Sequence, residues 1–251
     1  DAETVLNKLI GGINSQITGF NSMFGTSIPT IPLADLPTIP SGDVGVAAAI
    51  GLTNLDSDTQ AYLASDDSLT TSGALTLTAT NDSDAQTTAD GATTDGGAAT
   101  GVGAAVAINV ADVDNTAYLG GSPQIDATTV TVEALMNYDV SDDPDGVHTF
   151  GATATSGAGA TGVGVAGAFA LNDADATSEA LIQSGGAVTL VGTPDVFLTS
   201  ASESSHTATA EPELAGGDVG VGAAFALNIA TNDTRVAIED TASLSGADDL
   251  T

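Results

Sequence analysis

One pattern of small, apolar and polar positions recurs four times along this chain. Its sharpest copy is Val219–Asn228, VGVGAAFALN, which is uncharged and almost entirely small or apolar. The others are Val44–Asn54 (VGVAAAIGLTN), Val102–Asp112 (VGAAVAINVAD) and Val163–Asp173 (VGVAGAFALND). Aligned on the glycine of each Val-Gly pair, they are anchored at Gly45, Gly103, Gly164 and Gly220, in steps of 58, 61 and 56 residues. Self-similarity at a near-constant period decides architecture before any residue chemistry does.

Each anchor strand leads into further elements. Four positions on come Ala49-Ile50, Ala107-Ile108, Ala168-Phe169 and Ala224-Phe225. A second strand is centred on Ala61, Ala117, Ala180 and Ala237, and a third falls at 74–80, 129–134 and 195–201. A fourth element follows at 85–89, 147–151 and 205–209. Apolar and polar residues alternate in these stretches, the period-2 mark of a half-buried strand. No helical stripe occurs between Ser41 and Thr251.

One such unit cannot bury its apolar face alone, whereas stacked units share a continuous core. The pattern therefore predicts an all-β, parallel β-helix-like β-solenoid of about four repeats, at 43–100, 101–161, 162–217 and 218–251, the last incomplete. The alternative is a stacked antiparallel β-sandwich. A repeat of this length predicts two or three coils each, with Ala and Gly in line so that successive coils approach closely. The fourth copy stops at Leu250-Thr251, aligned with the start of a third strand. That points to a piece of a longer array, or to a subunit whose neighbour completes the strand.

Residues 1–42 differ. Val5, Leu6, Leu9, Ile10, Ile13, Ile17, Phe20 and Phe24 recur at three- and four-residue steps, which predicts an amphipathic helix, weakened by Gly11-Gly12. Lys8 is its one basic residue, so a cap over the open end of the stack is expected rather than membrane-surface binding. Pro29, Pro32, Pro37 and Pro40 then predict an extended strap, tied down by Ile28, Ile31, Leu33, Leu36 and Ile39.

Charge narrows the function classes. With 2 Lys+Arg against 33 Asp+Glu, the formal net charge is −31, which argues against nucleic acid and anionic membrane as partners. It suits a medium rich in salt or divalent cations. Cysteine is absent, so disulfides and thiolate metal sites are excluded. No run of apolar residues is long enough to span a membrane as a helix, and DAETV carries no signal-peptide features, which points to a processed chain or a segment of a longer one.

Candidate chemistry is sparse. Asp56 and Asp58, Asp112 and Asp114, Asp173 and Asp175, and Asn232 with Asp233 recur between the first and second strands. Oxygen ligands at alternate positions are what Ca²⁺ takes, and a plain polar turn is the competing reading. The pairs Asp66-Asp67 and Asp82/Asp84, and Asp142-Asp143 with Asp145, are weaker candidates. His148 and His206 fall at similar places, with Gln86 in the first copy, and read as a rank rather than a metal site. Threonine ranks such as Thr76, Thr78 and Thr80, or Thr129 and Thr131, have the spacing of an ice-binding array, although Thr is simply a good strand residue. Catalysis is not expected. A β-helix enzyme acting on acidic polysaccharide needs basic residues, and the chain has only Lys8 and Arg235.

The sequence GVGxAxAxN, an acidic stretch, TxAxL and a TLTLxA-like strand resemble the repeats of giant secreted bacterial surface proteins, the filamentous-haemagglutinin-like and autotransporter-like adhesins. The resemblance covers about 43–251. It implies a β-solenoid, secretion to the cell surface, and a stalk or adhesive role. Expected partners are neighbouring repeats or other copies end to end, and cell-surface or matrix polysaccharide. Ca²⁺ is the one candidate cofactor. The competing expectation is a filament subunit that assembles end to end, with a polysaccharide-active enzyme third.

Overall fold

The computed structural model describes residues 11, 14, 15, 17, 18, 21, 22, 44–93, 98–136 and 147–251. Among the described residues fourteen strands follow in order: β1 (Val44–Ala64), β2 (Ser68–Thr70), β3 (Leu75–Thr80), β4 (Ala85–Ala92), β5 (Thr100–Gly120), β6 (Gln124–Asp126), β7 (Thr129–Met136), β8 (His148–Gly159), β9 (Val163–Ile182), β10 (Ala187–Val191), β11 (Asp195–Ser202), β12 (Ser204–Ala215), β13 (Val219–Ile238) and β14 (Ser243–Ser245). They form four sheets, ordered β1-β5-β9-β13, β14-β10-β6-β2, β11-β7-β3 and β12-β8-β4. Every pairing among these strands is parallel. The chain is a β-solenoid, and the antiparallel sandwich is excluded.

Each repeat makes one coil, not two or three. The chain runs once along the long sheet, returns through the three shorter ones, and is back beneath its starting strand after one period. The anchor and second strands are a single run of 20 or 21 residues in each copy. A length that is large for a narrow coil is natural for this wide, flat one.

Register corrects two alignments. Gly45 pairs with Gly101 rather than Gly103, and Gly101 with Gly164 and then Gly220. Val236, not Ala237, continues the rank Ala61–Ala117–Ala180. The doublet Gly101/Gly103 offers two equivalent anchors to a pattern search, and only pairing chooses between them.

The coil tapers. At its wide end, Leu119, Ile125, Val130, Val132, Ile182 and Val188 fill the space between the long sheet and the second and third sheets. At its thin end the filling is alanine: Ala89, Ala105, Ala107, Ala152, Ala154, Ala168 and Ala170. Beyond that the second coil has no room for a side chain at Gly101 or Gly103. A Cβ on Gly103 would overlap the Gly157 carbonyl of the facing sheet, and one on Gly101 that of Gly159. The small residues therefore let the two sheets meet across the core. Spacing between coils is fixed at about 4.8 Å by backbone hydrogen bonds, whatever the side chain.

The helix expectation is partly seen. Every described residue between 11 and 22 is helical, with Thr18 Oγ1 donating to Asn14 O at 2.8 Å. Ile17 is buried against Val106, Ile108 and Leu171, which point outward from the central strands β5 and β9. The contact thus lies on the flank of the long sheet, not over an open end as the cap reading required. Residues 1–10, Lys8 included, and the Pro-rich 25–42 lie outside the described residues.

Candidate functional site

The recurring acids sit in the middle of the long strands, not in turns. Strand alternation sends Ala111, Val113 and Asn115 inward and Asp112 and Asp114 outward. An outward carboxylate keeps its hydration, so aspartate is tolerated within an extended ladder. Two ranks result. The first is Asp56–Asp112–Asp175, closed by Thr231; the second is Asp58–Asp114–Thr177–Asp233. Asp173 belongs to neither and stands between Val110 and Ile229.

Neighbouring acids act on one another. The Asp114 carboxyl is pushed above its ordinary value, first by burial and then by the charge of Asp112, with smaller contributions from Asp58 and Glu179. A hydrogen bond with Thr177 opposes this. Asp173 is raised in the same sense, by burial and by Asp175. Gln60 Nε2 donates to Asp58 Oδ2 at 3.2 Å. Arg235, the one cation of the described residues, is engaged elsewhere: it bonds Glu179 at 2.7 Å and Glu239 at 2.9 Å. Among the described residues, no three His, Asp or Glu converge as a metal cage would require. The acids form an open ladder with at most one carboxylate per coil per rank, Thr231 replacing it in the fourth coil of the first rank and Thr177 in the third coil of the second.

Other candidates resolve differently. Asp66 Oδ1 accepts from the Ser122 N–H at 2.9 Å and Asp84 Oδ1 from the Thr149 N–H at 2.6 Å, so both tie the first coil to the second. Residues 142–145 lie outside the described residues. The histidines do not form a rank: His206 pairs with Phe150, His148 with Ser204, and Gln86 with Gly151. His206 stacks on Phe150 with centroids 5.4 Å apart, and His148 is buried with the Ser83 N–H donating to its Nδ1 at 3.0 Å. The threonine grid is broken, since Thr131 meets Phe197 and Thr78 meets Glu133.

The structure also shows a ladder that the motif contained but that pattern reading passed over. Asn109, Asn172 and Asn228 stand in register on the inward face. Asn109 Nδ2 donates to Asn172 Oδ1 at 2.7 Å, and Asn172 Nδ2 to Asn228 Oδ1 at 2.7 Å. The final Asn of GVGxAxAxN was its signal. In the first coil the position is Thr53, whose hydroxyl meets that of Thr87 at 2.6 Å.

On the outward face, the first half of the long sheet is apolar. Ile50, Leu52, Val221 and Phe225 are exposed on its two edge strands. Comparison with protein-family models, with curated proteins and with solved structures finds no match to this chain.

Proposed function

We propose that this chain is a structural and adhesive repeat region of an extracellular bacterial surface protein. The observation that supports it is the uniform stack: one coil per repeat, in register over the full length of strands up to 21 residues long. Such a unit propagates length and stiffness, and lays out each surface residue as a rank rather than a pocket. The acidic ranks carry charge along the flank, where Ca²⁺ bridging carboxylates of successive coils or of neighbouring stacks relieves their repulsion. The test is retention under flow. Beads carrying the chain are expected to hold to polysaccharide-coated surfaces above the level of beads carrying an unrelated acidic protein. Equal washing-off on every surface, with and without Ca²⁺, would sink the adhesive part.

A second reading, end-to-end assembly into a filament, draws support from the β13 edge. There Val236 and Ile238, in core register with the fully buried Ala180 and Ile182, are 48% and 42% exposed. Sedimentation velocity over a concentration series separates the two. Open-ended growth favours the filament, and a constant monomeric species removes it.

A further inference from the structure

We propose that Tyr62 and Tyr118 are a site of oxidative cross-linking, at which a one-electron oxidant couples the two phenol rings and staples the first coil to the second. The two residues stand in register on β1 and β5. Their rings are stacked, with centroids 5.0 Å apart and planes 6° from parallel. Parallel in-register pairing lays like atoms over like atoms, one ladder step of about 4.8 Å apart. The ring carbon beside one hydroxyl therefore faces its counterpart on the other ring. Turning both rings about their long axes sets these carbons edge to edge and leaves the ladder in place.

Tyr118 lies on the outward face, between the inward Ala117 and Leu119. It keeps part of its surface in solvent although a coil packs on either side of it, so an oxidant reaches the pair from the flank. The next members of the rank are Leu181 and Ala237, which carry no phenol, so a radical formed on Tyr118 has Tyr62 as its one partner along these coils. The chain has neither Cys nor Trp, side chains that compete with tyrosine for a one-electron oxidant. Hydrogen peroxide with a haem peroxidase supplies such an oxidant. Each phenol gives it one electron and releases its hydroxyl proton to solvent. The two phenoxyl radicals join through their ortho carbons in one new C–C bond, and the hydrogens on those carbons move to the oxygens and restore the phenols. The peroxide O–O bond breaks, and the two electrons and two protons convert it to water.

The site does not depend on the adhesive role. Its test treats the folded chain with hydrogen peroxide and a haem peroxidase over a dilution series, cleaves at acidic residues and maps the products by mass spectrometry. The expected product is a single chain short of two hydrogens, with dityrosine fluorescence and with the peptides of Tyr62 and Tyr118 joined. Its yield is expected to be independent of dilution, because the fold already holds the reactants together. Tyr62→Phe keeps the ring and removes the hydroxyl, and is expected to cut single-chain dityrosine about tenfold. Links only between chains, links only through Tyr138, or an undiminished yield in Tyr62→Phe would overturn the site. So would an unlinked chain in a solution where free tyrosine is coupled.

Discussion

Asn109 and Asn172 lie one coil apart inside the core, and the amide of the first donates to the carbonyl of the second at 2.7 Å. Both are fully buried. The link continues to Asn228, so Asn172 is at once acceptor and donor. A primary amide suits this place because its two ends repeat along the stacking axis, one bond per coil.

Removing the middle member strands its buried neighbour. Asn172→Ala leaves the buried Asn109 donor unpaired, while the freed acceptor of exposed Asn228 turns to water, and a loss of about 1–3 kcal/mol is expected, the cost of one buried polar group left unsatisfied. Urea denaturation measures it. A loss no greater than that of Ser205→Ala, on the exposed face of β12, would mean that the ladder contributes nothing.

Glycine positions divide by what faces them. Gly103→Ala forces a Cβ into the Gly157 carbonyl, so the facing sheets must part, and a loss above about 2 kcal/mol is expected by analogy with overpacked cores. Gly167 has nothing within 4 Å of its Cβ position. Gly167→Ala is expected to hold stability or raise it by about 0.5 kcal/mol through the lower entropy of the unfolded chain. Thermal melts of the two variants check the contrast.

Acidification pulls in two directions. Burial lowers the folded-state pKa of His206, so the unfolded chain takes up its proton first, and stability falls as pH drops through the ordinary value of 6.5. His206→Phe, which repeats the Phe150 of the coil before it, is expected to abolish that slope. Asp114 and Asp173 are raised, so the folded chain binds their protons more tightly. Their share of stability is recovered as pH falls through the interval just above 3.8. Stability measured against pH should therefore show a loss near neutrality that His206→Phe removes, and a recovery below it that Asp114→Asn diminishes.

The acidic ranks make a prediction for cations. In chelator, Asp114→Asn is expected to stabilise by about 0.5 kcal/mol, because like charges directly opposite on neighbouring strands are destabilising. Ca²⁺ should raise the Tm of the wild-type chain and raise that of Asp114→Asn less. Identical melts with Ca²⁺ and with chelator would remove the cation role.

The period, the solenoid and the third and fourth strands were legible because alternation and repetition survive in sequence. What was lost traces to particular residues. Asp56 and Asp58 read as a turn because aspartate is poor in strands. Here their outward, hydrated position removes that penalty, so one long strand was divided in two. The glycines were assigned to coil stacking because sequence shows that a position is small and not which neighbour makes it so. Gly157, which faces Gly103, lies in the return strand of the same coil, outside the anchor motif. The Asn ladder was visible as a recurring letter, but inward from outward could not be told until the strand was known to run on past it.

The measurement that tests the one-coil repeat most directly uses the absence of cysteine. Spin labels at Asp58→Cys and Asp114→Cys replace outward residues that stand in register on adjacent strands. One step of a parallel ladder puts their backbones about 4.8 Å apart, so strong dipolar broadening and spin exchange are expected in the continuous-wave spectrum. Two or three coils per repeat would separate them by about 10–14 Å. A spectrum equal to the sum of the two singly labelled chains would contradict the stack.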